Sequence, residues 1–327
     1  KIISNLDIAE RRLPQDGRCK LRIGEKDIDI RVSTLPCVHG EKVVMRILDK
    51  SSTSMDLDRL GMDPMTLKEM KRVLQFPHGV ILLTGPTGSG KTTTLYSFLK
   101  HIYDPEINIV TVEDPVEYQL AGVNQVAVRT NIGMTFASGL RSILRQDPDV
   151  IMVGEMRDAE TLEVAIRAAL TGHLVFSTIH TNSAVATVTR MVDMGLEPFL
   201  VAASLICAIS QRLIRTICPK CREEYEPPAM LRRDFESKFN MKADFTFYRG
   251  KGCVECGGSG YRGRAAVHEY MTMDETLRSM VITRESEKKM GEYCTSKGMR
   301  TLRQSVFMKL YDGSTTAEEA VSLFYEE

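Results

Sequence analysis

The pattern of apolar and polar residues divides the chain into stretches that predict different kinds of structure. Between about residues 77 and 215, short apolar runs alternate with helical patterns, and the runs are GVILLTG, INIVTVEDP, DVIMVGE and HLVFSTIH. Apolar runs of strand length that alternate with helices are typical of βαβ units, whose parallel strands are buried on both faces. We therefore predict an α/β core with a mostly parallel sheet.

Other patterns flank this core. Residues 1 to about 50 alternate as strands do and predict a small β-rich module, with turns at Asp16-Gly17 and His39-Gly40. The segment DPMTLKEMKRVLQF predicts a helix with Pro64 in its first turn. An apolar run over residues 199–209 predicts a buried helix, which is too short to span a bilayer.

Composition narrows the classes of function. The 327 residues include 43 Lys and Arg and 43 Asp and Glu, so the formal net charge is zero. A balanced charge gives no argument for binding to nucleic acid or to an anionic membrane. Four of the eight cysteines form two C-x-x-C pairs. In a chain of this size, such pairs indicate a reducing compartment and a metal site rather than a disulfide framework.

The segment GPTGSGKTT fits the phosphate-binding pattern G-x-x-x-x-G-K-[ST]. It follows an apolar strand and precedes a helical pattern, and this context argues against a chance glycine turn. Glycines let backbone N–H groups surround phosphate oxygens, and the helix N-terminus adds its dipole. We expect Lys91 to contact the β- and γ-phosphates and Thr92 to bind Mg²⁺. The predicted nucleotide-binding residues of this loop are Gly85, Pro86, Thr87, Gly88, Ser89, Gly90, Lys91, Thr92 and Thr93.

Acidic residues follow two other predicted strands. Glu113 and Asp114 come after IVTV, and Glu155 comes after DVIMVG. Ligands of an open α/β sheet bind at the carboxyl ends of its strands, so we expect these acids near the phosphates. Glu155 is suited to polarise an attacking water. An ordinary polar turn is the alternative for Glu113 and Asp114.

The histidines and arginines near these strands have two interpretations. His173 and His180 flank the run HLVFSTI, where a histidine is more often a structural residue than a ligand. Arg141 and Arg145 lie four residues apart and therefore on one helical face. That face is either solvated or placed to neutralise phosphate charge, including as an arginine finger across a subunit boundary.

The two C-x-x-C pairs are Cys218 with Cys221 and Cys253 with Cys256. Two such loops can supply four thiolates in the tetrahedral geometry of structural Zn²⁺. A pair of redox dithiols is the alternative. Because a four-thiolate site has no open position, we do not expect it to be catalytic.

In this order, the motifs resemble those of the secretion ATPase superfamily, in particular the motors of type II secretion and type IV pilus assembly. The motifs are RLPQDGR, RVSTLP, GPTGSGKTTTLY, VEDPVEY, GLRSILRQDPDVIMVGEMRD, TGHLVFSTIHTNSA and CPKC…CVEC…GYRGR, which cover essentially the whole chain. The tetracysteine element points to assembly motors, since the retraction motors of the family lack it.

The resemblance implies a fold and a set of residue roles. It implies a RecA-like P-loop core at 55–215, a preceding PAS-like α+β module (N2-like) at 1–54, a tetracysteine zinc segment at 216–263 and a helical C-terminal region at 264–327. It assigns Lys91 to the Walker A motif and Glu155, as the catalytic base, to an atypical Walker B motif. It assigns Glu113, Asp114 and Glu117 to an Asp box, and His173 and His180 to a His box. The implied phosphate-side arginines are Arg31, Arg46, Arg141 and Arg145, and the implied zinc ligands are Cys218, Cys221, Cys253 and Cys256.

The resemblance also implies a function. A homo-hexameric ring would bind Mg²⁺-ATP, with Mg²⁺ held by Thr92, phosphate oxygens and waters that Glu113 or Asp114 orients. Hydrolysis would drive an inner-membrane platform protein that assembles pilin-like subunits. The motor would be cytoplasmic and peripheral to the bacterial inner membrane, with indirect membrane association and no nucleic-acid partner.

Three alternatives remain open from the sequence. TNSA, VDMGLEPF and RTICPKC favour type II secretion over type IV pilus assembly. A RecA-like nucleic-acid motor shares the P-loop core, but zero net charge and 6% aromatic residues argue against it. A nucleotide-gated scaffold with a zinc module would hydrolyse ATP only very slowly.

Overall fold

The computed structural model describes residues 1–24, 26–49, 56–240 and 242–324. Contacts within the chain define two compact units, Lys1–Ser54 and Met55–Glu327. The predicted boundary at residue 54 lies outside the described residues.

The first unit contains a three-stranded antiparallel sheet with its second strand in the middle. Its strands are β1 (Gln15–Ile23), β2 (Lys26–Cys37) and β3 (Gly40–Asp49). The predicted turn at His39-Gly40 is confirmed, because the chain reverses there between β2 and β3. The predicted turn at Asp16-Gly17 is wrong, because both residues lie inside β1. A Cβ atom on Gly17 would lie 2.4 Å from the Ser4 carbonyl oxygen, so this glycine permits a close approach of two backbone segments.

The second unit is built on a seven-stranded sheet, which confirms the predicted α/β class. The strands of this unit are β4 (Gly79–Thr84), β5 (Ile109–Glu113), β6 (Asn124–Ala127), β7 (Val150–Val153), β8 (Leu174–Ile179), β9 (Leu205–Ile217), β10 (Arg222–Tyr225), β11 (Phe247–Gly250) and β12 (Tyr261–Thr272). The order in the main sheet is β12-β9-β4-β8-β7-β5-β6, and β10 and β11 pair separately. All neighbours in the main sheet are parallel except β12, which runs antiparallel to β9.

Helices lie on both faces of this sheet. The α-helices of this unit are α1 (Pro64–Val73), α2 (Lys91–Ile102), α3 (Phe136–Ile143), α4 (Ala159–Leu170), α5 (Ala186–Asp193), α6 (Pro198–Ser204), α7 (Ala229–Phe239), α8 (Glu275–Ile282), α9 (Glu287–Ser296), α10 (Leu302–Tyr311) and α11 (Ala317–Ser322). The helix predicted to carry Pro64 in its first turn is confirmed as α1, and the Asp63 side chain caps it.

Alternate residues of β4 explain the two helical layers. Ile81 and Leu83 pack in one core cluster with residues of α1 and α2, whereas Val80 and Leu82 pack in another with residues of α3, α4, α5 and α6. Side chains of a strand alternate between the two faces of a sheet, so a strand that is apolar throughout must be covered on both sides.

Two stretches differ from the sequence-based expectation. The helix predicted over residues 199–209 is wrong in its second half, because α6 ends at Ser204 and β9 begins at Leu205. An apolar run without clear periodicity fits a buried helix and a buried strand equally well. Strand β12 continues to Thr272, so the helices of the C-terminal region begin at Glu275 rather than at 264.

A smaller core joins the antiparallel strand pair β10–β11 to helices α7, α10 and α11. Its centre is Phe235, which stacks on Phe239 with ring centroids 4.5 Å apart. Ile214 of β9 and Val267 of β12 also belong to this core, so these two strands connect it to the main sheet. In the described part of the chain, no helix is long and apolar enough to cross a membrane.

Candidate functional site

The glycine loop lies between β4 and α2, as its motif predicted. Gly85, Gly88 and Gly90 have φ angles of +140°, +84° and +86°, which L side chains rarely adopt. The Lys91 ammonium donates hydrogen bonds to the carbonyl oxygens of Gly85 at 2.7 Å and Pro86 at 3.0 Å. Lys91 therefore lies folded over the loop, where a phosphate would replace the carbonyl oxygens as its partner.

The charges around Lys91 include two that come from distant parts of the sequence. Burial lowers the pKa of Lys91, the Glu155 carboxylate acts against this shift, and the Arg212 guanidinium adds to it. The predicted acid Glu155 and the predicted loop lysine are thus brought into one electrostatic environment. Arg212 was not predicted, because β9 was not recognised as a strand and the helix predicted over 199–209 ends before it.

Glu155 lies just beyond the carboxyl end of β7, as expected from the pattern. Its carboxylate forms an ion pair with Arg157 at 2.7 Å and lies 3.8 Å from Nε2 of His180. Arg157 was not predicted from the sequence, although it follows Glu155, an acid at a strand end, by two residues. An open cleft of about 310 Å³ adjoins this pair and is lined by Met156, Arg157, Ile179, His180 and Arg190.

The position of Gly154, which precedes Glu155, does not require glycine for steric reasons. A Cβ atom on it would lie 3.4 Å from the Glu113 Cα atom, an ordinary contact distance. Its backbone is fully engaged, with its N–H bonded to the Val112 carbonyl at 2.8 Å and its carbonyl bonded to the Thr178 hydroxyl at 2.9 Å. These bonds fix the end of β7 between β5 and β8.

The two acids after the IVTV run have different surroundings. Glu113 is buried, with 3% of its surface exposed, and accepts hydrogen bonds from the Tyr96 hydroxyl, from Thr111 Oγ1 at 2.6 Å and from Gln125 Nε2 at 3.1 Å. Asp114 is exposed. The position after the strand therefore supplies one interior acid and one surface acid.

Tyr96 connects these acids to the P-loop helix. It lies on α2 and is fully buried. Its hydroxyl donates to Glu113 and accepts a hydrogen bond from the Glu117 backbone N–H at 3.3 Å. Burial raises the pKa of Tyr96, and the negative charge of Glu113 raises it further, so the hydroxyl keeps its proton. Its place in GKTTTLY was the only sequence signal for it.

The predicted arginines fall into two groups. Arg31 of β2 lies directly opposite Arg46 of β3, and Arg18 of β1 lies opposite Arg31, so three arginines share one face of the first unit. Like charges directly opposite one another are unfavourable, and Asp16 and Asp29, two positions away along β1 and β2, supply negative charge on the same face. Arg18 was not predicted, because its position in the register depends on strand pairing.

Arg141 and Arg145 have other partners. Arg141 forms an ion pair with Glu160 at 2.6 Å, and Arg145 donates to the Arg141 carbonyl at 2.9 Å. Among the described residues, neither arginine has a hydrogen bond or ion pair with the glycine loop.

The two predicted histidines lie at opposite edges of the sheet. His180 follows the carboxyl end of β8, beside Glu155. His173 precedes β8, and its Nδ1 is 2.8 Å from the Ala168 carbonyl oxygen. His173 therefore closes the turn after α4, far along β8 from His180.

The four predicted cysteines converge. All four sulfur atoms lie within 4.8 Å of one another. The sulfur atoms of Cys218 and Cys253 are 3.8 Å apart, those of Cys221 and Cys256 are 3.9 Å apart, and those of Cys253 and Cys256 are 3.7 Å apart. A Zn–S distance of about 2.3 Å gives sulfur separations of roughly 3.8 Å in a tetrahedron. The four thiols therefore fit a tetrahedral metal ion such as Zn²⁺.

Backbone groups around the sulfur atoms favour thiolates. The N–H groups of Cys253 and Gly260 donate to the Cys256 sulfur at 3.2 and 3.3 Å. Burial opposes ionisation, but these bonds and the thiol contacts of Cys253 and Cys221 together lower the pKa of Cys256 to about 6. Burial raises the pKa of Cys221 to about 12, so the four thiols share their protons unequally. Hydrogen bonds of this kind orient metal-ligating thiolates.

Comparisons with known proteins agree with these features. The family model described as Type II/IV secretion system protein matches residues 1–322. The chain is 48% identical over 326 residues to the Type II secretion system ATPase E of Vibrio cholerae serotype O1, covering 100% of this chain and 64% of that protein. It is 49% identical over 325 residues to the Type IV pilus assembly ATPase PilB of Myxococcus xanthus, covering 98% of this chain and 57% of that protein.

A solved structure of the pilus retraction motor PilT with bound ADP is also similar. Its TM-score is 0.68 at 29% identity, over 95% of this chain and 78% of that chain. The chain spans less than two thirds of the length of the Vibrio cholerae and Myxococcus xanthus relatives.

Proposed function

Because the chain belongs to the Type II/IV secretion system protein family, we propose that it is an ATP-hydrolysing motor that powers pseudopilus assembly for type II secretion at the bacterial inner membrane. The observation that carries this proposal is that Lys91 and Glu155 follow the carboxyl ends of β4 and β7, which both pair in parallel with β8, so both residues lie at one edge of the sheet. A phosphate-binding loop beside an acid that can orient water is the arrangement needed for phosphoryl transfer to water.

The glycine loop supplies binding. Its N–H groups and the N-terminus of α2 would surround the phosphates, Lys91 would move from the loop carbonyls to the β- and γ-phosphates, and Thr92 would ligate Mg²⁺. Mg²⁺, when bound, neutralises charge on the phosphate oxygens. Of the two acids at the end of β5, we assign the orientation of its waters to exposed Asp114, since Glu113 already accepts three side-chain hydrogen bonds.

Glu155 would act as the general base. Its pairing with Arg157 occupies one carboxylate oxygen, so Arg157 must turn toward phosphate or solvent when Glu155 orients water. His180, 3.8 Å from the Glu155 carboxylate, would contact the same region as a hydrogen-bonding group. Arg31 and Arg46 from the first unit, and Arg141 and Arg145 from this chain or a neighbour in the ring, would neutralise phosphate charge.

The tetracysteine cluster would hold a structural Zn²⁺ and supports an assembly motor rather than a retraction motor. We further propose a homo-hexamer that acts on an inner-membrane platform protein from the cytoplasmic side, with indirect membrane association. The proposed functional regions are 1–54, 55–215, 216–263 and 264–327. Type IV pilus assembly is the second candidate, because PilB proteins match at the same identity as the type II secretion proteins.

The test of this proposal is ATP turnover by the purified chain and by its Glu155→Gln variant. Loss of a general base typically costs about 10²–10⁴-fold in rate, so Glu155→Gln should bind ATP but turn it over at least about 100-fold more slowly. Glu163→Gln is the matched control, since Glu163 is an exposed acid paired with Arg167 on α4. Turnover of Glu155→Gln near that of the control would refute the assigned role.

Added nucleic acid separates the rival functions. We expect the turnover of the wild-type chain to be unchanged by single- or double-stranded DNA. Strong stimulation by DNA would instead identify a nucleic-acid motor, and very slow turnover even in an assembled ring would identify a nucleotide-gated scaffold. Genes for a secretin and pseudopilins beside this one would support type II secretion, whereas pilin and retraction-motor genes would support pilus assembly.

A further inference from the structure

Gln211 is a buried polar residue directly beneath the glycine loop. It lies on β9, which pairs with β4, and only 1% of its surface is exposed. Its Nε2 donates to the Ser89 carbonyl at 2.7 Å, and its Oε1 accepts from Thr94 Oγ1 at 2.8 Å and pairs with His268 Nε2 at 3.1 Å. One side chain therefore connects the loop, helix α2 and strand β12.

The donors and acceptors of this network have one consistent assignment. The Ser89 carbonyl can only accept, so the Gln211 amide nitrogen must face it and the amide oxygen must face the other two partners. His268 must then carry its proton on Nε2. Burial lowers the pKa of His268 to about 4, which keeps the ring neutral near pH 7.

The backbone of the loop also packs on Gln211. A Cβ atom on Gly85 would lie 2.4 Å from the Gln211 carbonyl oxygen, and one on Gly90 would lie 3.0 Å from its Nε2. The glycines at both ends of the loop therefore permit contact with this one residue. A side chain at Gly85 would displace the loop or the β9 backbone, and one at Gly90 would press on the Gln211 amide from a strained φ of +86°.

The contact with Ser89 controls the direction of a phosphate-binding group. A peptide unit is planar and trans, so the Ser89 C=O and the Gly90 N–H point in opposite directions. Because the C=O is directed at Gln211, the Gly90 N–H points away from β9. Without this contact, the peptide could rotate and present a carbonyl oxygen, which repels phosphate, in place of the N–H donor.

We propose that Gln211, itself oriented by His268, is a positioning residue that keeps the glycine loop in its phosphate-binding conformation. This inference rests on the proposed nucleotide-binding function. If it is correct, residues of β9 and β12 contribute to nucleotide affinity, although neither strand carries a recognised nucleotide-binding motif. Among the described residues, the His268 side chain contacts Gln211 and not the loop, so its effect on the loop should be smaller and of the same kind.

The test compares Gln211→Met, which keeps the volume but removes the amide, with Thr315→Val. Thr315 is also fully buried and donates to β9, at the Arg215 carbonyl 2.8 Å away, so Thr315→Val is a matched loss of one interior hydrogen bond. Binding of fluorescent ATP and ADP is measured well below each melting temperature, and KM and kcat are measured for ATP. We expect Gln211→Met to raise the Kd and KM by roughly tenfold with little change in kcat, and Thr315→Val to leave both within about twofold.

The outcomes are distinguishable. An unchanged Kd in Gln211→Met would overturn the inference, as would an equal loss of affinity in Thr315→Val. If Gln211→Met does not fold, His268→Phe decides the matter, because it removes the donor to Gln211 without touching the loop. His268→Phe should then raise the Kd by a smaller factor, and an unchanged Kd would overturn the inference. Failure of the wild-type chain to bind nucleotide would instead refute the proposed function.

Discussion

The glycine loop and the tetracysteine cluster are both short motifs that reach a defined geometry, but they reach it by different means. The loop at residues 85–90 is supported by Gln211, whose contacts extend to His268 in another strand. The cysteine pairs are supported mainly by their own backbone, as in the N–H bonds from Cys253 and Gly260 to the Cys256 sulfur. One geometry therefore depends on the packing of the sheet and the other on local turns.

This difference has an energetic consequence. The loop carries no charge cluster of one sign, so its conformation is compatible with the absence of nucleotide. Four thiolates whose sulfur atoms all lie within 4.8 Å of one another would repel, so a cation is needed to hold them together when ionised. We expect ligand removal to loosen the cysteine segment strongly and the loop hardly at all.

Zinc removal should have the largest effect. Structural zinc contributes roughly 10 kcal/mol or more in small zinc-binding peptides, so chelation should cause a large loss of stability here. We expect one Zn²⁺ per chain by metal analysis, a lower melting temperature after chelation, and faster hydrogen exchange at 216–263 with little change at 85–90. Cys37→Ser, at an exposed cysteine of the first unit, is the control. If the purified protein contains no metal and its melting curve is unchanged by chelation, the proposed structural zinc site is refuted.

Lys91→Ala should have the next largest effect, on activity rather than stability. Loss of one preorganised electrostatic donor typically costs about 10²–10³ in rate. Within the described part of the chain, the hydrogen bonds of the Lys91 ammonium go to the loop carbonyls of Gly85 and Pro86. We expect ATP turnover to fall by at least about 100-fold with a melting temperature close to wild type. Lys100→Ala, at an exposed lysine on the same helix, should change neither quantity. A large drop in the melting temperature of Lys91→Ala would show that the loop is not held independently of its lysine.

Tyr96→Phe should have the smallest effect. We call the segment from Glu113 to Glu117 the acidic loop, and this variant tests whether a buried hydrogen bond holds it, as we propose for the glycine loop. The change leaves Glu113 and the Glu117 N–H without one hydrogen-bond partner each, which typically costs about 1–3 kcal/mol for a buried group. Urea unfolding should show this loss, whereas Tyr103→Phe, at an exposed tyrosine after α2, should be neutral. Equal stability of the two variants would mean that packing alone holds the acidic loop.

Much of the core was predictable because its signals are local. The apolar runs that became β4, β5, β7 and β8 are buried along their whole length, and their burial on both faces is what makes them apolar. The short strand β6 and the long strands β9 and β12 were missed. Strand β6 is only partly buried, and β9 continues directly from helix α6 in one apolar run.

The site was predictable in its chemistry but not in its support. Gly85, Lys91, Glu155 and the four cysteines follow from motif spacing, because the conformation of a glycine and the charge of a side chain belong to the residue itself. The partners of these residues, such as Arg157 for Glu155 and Tyr96 for Glu113, follow from which atoms come within hydrogen-bonding distance.

Local sequence therefore determined where phosphate and metal can be bound, since glycine loops and cysteine pairs act within a few residues. Only the tertiary structure placed Gln211 under Ser89, across 122 positions, and His268 beside Gln211, across 57. The physical reason is that a buried amide is satisfied by whichever groups the sheet order brings to it. That order, with β9 beside β4 and β12 beside β9, is a property of packing and leaves no periodic signal in the chain.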